Sequence, residues 1–72
     1  MRISFNPNQA PHVGEIKSQA AALIDYCQAL RALADKMDPQ DAGELHRLVS
    51  LAQTDIETAA MHAVKAATLG LP

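Results

Sequence analysis

One break divides this chain. Asp38-Pro39-Gln40-Asp41 stands between two runs in which apolar side chains recur every three or four residues. In the first run they are Ile16, Ala20, Leu23, Cys27, Leu30, Ala34 and Met37. In the second they are Leu45, Val49, Ala52, Ile56, Ala59, Ala63 and Ala66. That spacing puts one apolar seam on each of two α-helices. The break carries the chemistry of a helix restart. Asp38 can accept hydrogen bonds as an N-cap, Pro39 suits a first turn, and Asp41 sits where the helix dipole favours an acid. No alternating strand pattern competes, and there is no internal repeat. The expected fold is all-α: an antiparallel two-helix hairpin, with helices over about 12–37 and about 39–69. The second helix would be about 46 Å long at 1.5 Å per residue. Gly70 and Pro72 terminate it.

Residues 1–11, MRISFNPNQAP, differ from the rest and read as a short N-terminal arm or turn. Helix signals begin near Pro11 or His12, and Gly14 softens that start.

A single domain of 72 residues has little core to stabilise it. Cys27 is the only cysteine, so no internal disulfide can help, and a lone cysteine suits a reducing compartment. The remaining common support for so small a chain is a partner subunit. The seams point the same way. Alanines let helices approach closely but bury little surface each. Ile24, Leu33, Leu48, Leu51, Val64 and Leu71 lie off the seams, and one hairpin cannot cover them all. A homo-oligomer is expected.

Several functions are disfavoured. No secretory or membrane-spanning apolar run is present, which suggests a cytoplasmic chain away from membranes. A formal charge of −2 argues against a protein that coats DNA or RNA. His12, His46 and His62 show no ligand spacing, so a zinc site would need several chains, and surface or interface histidines are the simpler reading. Asp55 and Glu57 point to different helix faces and form no catalytic pair. No phosphate-binding glycine loop occurs. No enzyme activity, metal or cofactor is expected.

Binding is better supported. Lys17 near the start of the first helix and Lys65 near the end of the second would approach each other in an antiparallel hairpin. They could hold a small anion, or both could be solvated surface lysines. Phe5 offers a packing anchor or a stacking ring, and the Asn6 amide beside it both donates and accepts.

These residues resemble a known family. Thr54-x-Ile56-Glu57-x-Ala59-x-Met61-His62-Ala63 looks like its T-x-L-E-E-A-x-M-W-A segment. Glu15-Ile16-Lys17 looks like its x-I-K/R at the start of the first long helix. Phe5-Asn6-Pro7 looks like its aromatic residue followed by His or Asn and often Pro. The family is the helical hairpin domain of phage-encoded sponges that counter the bacterial CBASS and Thoeris defences by sequestering cyclic nucleotide signals. The resemblance covers nearly the whole chain. It implies binding without cleavage, at least a dimer, and a hexamer as the full assembly. The implied ligand is a cyclic dinucleotide, with cyclic trinucleotides and cyclic ADP-ribose isomers as further candidates. It also implies that Phe5 stacks on a base, Asn6 meets the ligand's polar edge, Lys17 meets a phosphate and Lys65 faces a pocket. The compartment would be the host cytoplasm. Phe5 replaces a common tyrosine, His62 replaces a common tryptophan, and the Phe5-to-Lys17 connection is short for the family. Periodicity and composition suit a second class equally well: a small oligomeric helical adaptor with no small-molecule ligand. Convergence of Phe5, Asn6 and Lys17 separates the two.

Overall fold

The computed structural model describes the backbone of residues 5–70 and the side chains of residues 11–70. Helix α1 runs Phe5–Leu30, tightens into a 3-10 segment over Arg31–Lys36, and is followed by α2 over Pro39–Ala67. The two pack antiparallel. No strand occurs among the described residues.

The break behaves as its residues dictate. Met37 (φ −110°, ψ 159°) and Asp38 (φ −72°, ψ 164°) are extended, the conformation that the residue before a proline prefers. The Asp38 side chain caps α2 by accepting a bond from the Asp41 amide at 2.9 Å. Pro39 occupies the first turn and Asp41 is its acidic residue. On the other side, the Met37 amide donates to the Ala34 carbonyl at 3.1 Å. The 3-10 segment satisfies terminal carbonyls by three-residue bonds. At the far end, the Thr68 amide and hydroxyl both donate to the Val64 carbonyl, at 3.0 and 2.9 Å. Gly70 then takes a positive φ of 84°, which costs a glycine little.

The start of α1 departs from expectation. An arm over residues 1–11 was expected; residues 5–11 instead belong to the helix, which opens at Phe5. Pro7 falls where the first amides have no helical partner, so its missing N–H costs little. Pro11 lies inside the helix and removes one bond there. Residues 1–4 lie outside the described part. The earlier start also moves Lys17 about three turns into α1, beyond the first turn where the helix dipole acts.

The seams drift from a strict 3-4 repeat. Ile24, not Leu23, turns toward α2, and Leu23 is 49% exposed. In α2 the half-buried alanines are Ala42, Ala52, Ala60, Ala63 and Ala67, while Ala59 and Ala66 are exposed. An uncoiled helix advances 3.6 residues per turn, so a 3.5-residue template slips round it by about 20° every heptad. Of the off-seam residues, Leu33, Leu48 and Leu51 are exposed as expected, Ile24 and Val64 are half-buried, and Leu71 lies outside the described part.

Only Cys27 and Val49 are buried among the described residues. The Cα trace measures 60 × 15 × 8 Å, with a radius of gyration of 17.2 Å. A compact chain of this length would have about 11 Å.

Candidate functional site

Two features join the helices. The first is a clasp around Arg31, the first residue of the 3-10 segment after α1. Its Nε donates to Gln28 Oε1 at 2.8 Å. Nη1 lies 3.0 Å from His46 Nδ1 and donates to the His46 carbonyl at 3.3 Å. Nη2 donates to Ser50 Oγ at 3.1 Å and Gln53 Oε1 at 3.3 Å. All five guanidinium N–H groups are thereby used. Since Arg31 can only donate, His46 Nδ1 must be the accepting nitrogen. The acceptors His46, Ser50 and Gln53 repeat at 4-3 spacing beside the α2 seam, a polar stripe legible in the sequence but not recognised there. A guanidinium with every donor occupied is a structural tie between helices, with nothing left to offer a ligand.

The second feature is an open groove of about 440 Å³ near the open end of the hairpin. His12, Glu15, Ile16 and Gln19 of α1 and Ala66 and Ala67 of α2 line it. The Gln19 Nε2 donates to Glu15 Oε2 at 2.7 Å. That bond uses one of the two N–H donors of the amide, and the Glu15 carboxylate keeps further acceptor capacity on the same wall. The groove's size falls within the range of small-molecule sites. His12, previously one of three unassigned histidines, thus belongs to this groove.

The lysines named from sequence do not line it. Lys17 and Lys65 are both exposed. At 100° per residue, Lys17 sits about 160° round α1 from both Glu15 and Gln19, hence on the far side of that helix. Lys65 stands about 100° round α2 from Ala66 and complements the C-terminal end of its own helix. Within one chain the groove and these cations are separate features. Phe5 and Asn6 fall in the first turn of α1, and their side chains lie outside the described part. His62 and Met61 are exposed on α2. The described residues contain no group of three or more His, Cys, Asp or Glu side chains placed to hold a metal ion. No helix among them is long and apolar enough to cross a membrane. One surface ion pair, Arg47 with Glu44, spans a turn of α2. The hydrogen bond from Arg47 holds the Glu44 carboxyl below its usual range.

Fold and site therefore define a class: a slender, all-helical hairpin with a cross-helix groove at its open end. The chain matches the family model described as Acb2/Tad1, hairpin domain, over residues 1–68, and it belongs to that family of anti-CBASS and anti-Thoeris sponges. No curated protein and no solved structure matches it.

Proposed function

We propose that this protein binds cyclic oligonucleotide immune signals and sequesters them without cleavage, blunting an antiphage defence in the host cytoplasm. The family match over residues 1–68, nearly the whole chain, carries this reading. Sponges of this family are non-catalytic. A cyclic dinucleotide is the ligand favoured, with cyclic trinucleotides and cyclic ADP-ribose isomers next. Phe5 stacks on a base, Asn6 bonds a polar edge, Lys17 pairs with a phosphate and Lys65 supports it. Because Lys17 and Lys65 are exposed and lie outside the groove that one chain forms, the binding pocket is assembled between copies of the chain. The working form is accordingly a homo-oligomer, at least a dimer and, in the full assembly, a hexamer.

Calorimetry over a panel of cyclic dinucleotides, cyclic trinucleotides and cyclic ADP-ribose isomers tests this. The expected result is tight binding of at least one ligand, recovered chemically intact after heat denaturation of the protein. A linear or hydrolysed product would reveal a catalytic site. Binding of none would put the ligand-free helical adaptor ahead.

A further inference from the structure

The Arg31 clasp depends on a proton at one of its partners. Arg31 Nη1 lies 3.0 Å from His46 Nδ1. A guanidinium has no acceptor and keeps its proton, so that bond exists only while Nδ1 holds a lone pair. The ring in the clasp is therefore neutral, with its proton on Nε2. Protonation turns Nδ1 into a donor. Two N–H groups, each on a cation, then face each other across the same 3.0 Å. Either the ring turns away and one bond is lost, or the guanidinium retreats. Retreat also loosens the bonds to the His46 carbonyl, Ser50 and Gln53. Together these are the side-chain hydrogen bonds that cross between the helices among the described residues.

No neighbouring charge compensates an imidazolium at this place. On α2, the residues three and four positions from His46 are Ala42, Gly43, Val49 and Ser50. Glu44 and Arg47 flank it in sequence but pair with each other. Asp38 and Asp41 belong to the start of α2, where Asp38 serves the cap. From the facing strand of the hairpin, Arg31 is the charged group in contact. Asp35 and Lys36 lie further along the 3-10 segment, and Asp25, Tyr26 and Cys27 precede it on α1. Among the described residues Glu44–Arg47 is the one ion pair, so neither Asp25 nor Asp35 is paired with Arg31 or His46. His46 is exposed, and water can bring it a proton without unfolding the chain.

We propose that the His46–Arg31 contact is a pH-sensitive latch, tying the helices at the turn end of the hairpin while His46 is neutral and releasing them when its ring is protonated. The inference rests on the clasp geometry and is independent of the ligand reading above. Histidine ordinarily changes charge between about pH 5 and 8. Because the clasp accepts only the neutral ring, the folded hairpin takes up this proton less readily than the unfolded chain. The latch's contribution to stability is then complete above the histidine range and lost as pH falls through it. The Glu44 carboxyl is held below its usual range, so the loss of its pairing comes at lower pH. With Cys27 and Val49 alone buried among the described residues, the clasp is a large part of what holds the two helices together.

Two measurements on the full chain test this. The first is urea denaturation at about pH 7.5 and about pH 5.5, either side of the ordinary histidine midpoint, at one fixed chain concentration. His46→Asn is the informative variant, because its side-chain oxygen accepts a hydrogen bond and never titrates. Over that interval the unfolding equilibrium of the parent should shift by about fivefold more than that of His46→Asn, the worth of one hydrogen bond. Arg31→Met removes the donor and should erase the excess as well. His62→Asn changes an exposed histidine outside the clasp and should keep it. The second measurement is NMR of the parent and needs no variant. Separate Nη–H signals of the tied Arg31 guanidinium should merge across the pH range in which the His46 ring titrates. Equal pH dependence in the parent and His46→Asn would overturn the latch, and so would Arg31 signals that stay separate while the His46 ring titrates.

Discussion

Arg31 shows how one side chain can tie two helices together. A methionine there keeps the apolar stem and removes every donor. The stranded acceptors on Gln28, His46, Ser50 and Gln53 remain exposed or half-buried, so water can satisfy them and the loss is moderate. Arg31→Met is expected to destabilise the hairpin by about 1–3 kcal/mol. A lower denaturant midpoint at unchanged slope would register it. Lys17 belongs to the ligand side of the reading. Lys17→Ala should weaken cyclic-nucleotide binding by about 1.5–3 kcal/mol without changing the oligomer, and high salt should shrink that difference. Calorimetry on the folded variant decides it; parent-like affinity would remove Lys17 from the site. The Glu44–Arg47 pair is of another kind. Its carboxyl titrates lower in the folded chain. Its contribution is therefore present above the unfolded carboxylate pKa and lost as pH falls through the folded value. Both groups are solvent-exposed, so salt screens the pair and it should matter little.

At the scale of elements, the α2 start is the best-specified point in the chain. Asp38→Ala removes the side-chain acceptor for the Asp41 amide and is expected to cost about 1 kcal/mol, visible as a lower thermal midpoint. A parent-like midpoint would mean that Pro39 alone positions the turn. The alanine seam makes the opposite kind of demand. Ala63 is half-buried against α1, and Ala63→Leu should destabilise by about 1–3 kcal/mol through overfilling. Denaturation of Ala59→Leu in parallel is informative, since Ala59 is exposed within the hairpin. If it proves as damaging as Ala63→Leu, Ala59 is covered by another copy. Both helices, their antiparallel order and the capped break were legible, because capping and period are local properties of the chain. The inward set was legible only in part: Leu23 and Ile24 are adjacent and both apolar, and sequence offers no local reason to turn one in. The seam's slow rotation chose Ile24, as it chose Ala60 over Ala59.

As a whole molecule, this is a plate 60 Å long and 8 Å thick in its Cα trace, with Cys27 and Val49 alone buried among the described residues. Stability should therefore depend on protein concentration. A thermal midpoint that rises on going from low to high micromolar chain is expected, and a midpoint independent of concentration would argue for a self-sufficient hairpin.

Sequence by itself determined what depends on near neighbours: two helices, the Asp38-Pro39 break, the Gly70 stop, the shortage of core, and membership of a sponge family through short motifs kept in order. Tertiary structure decided what depends on which residues two distant helices bring together. It closed the Arg31 clasp on residues 15 to 22 positions away and gathered His12, Glu15 and Gln19 beside Ala66 and Ala67. It also set Lys17 on the far side of α1 from that groove. The physical reason is angular. Each residue turns the helix by 100°, so a small offset in where a seam begins rotates every other side chain with it, and only contact with the second helix fixes that offset.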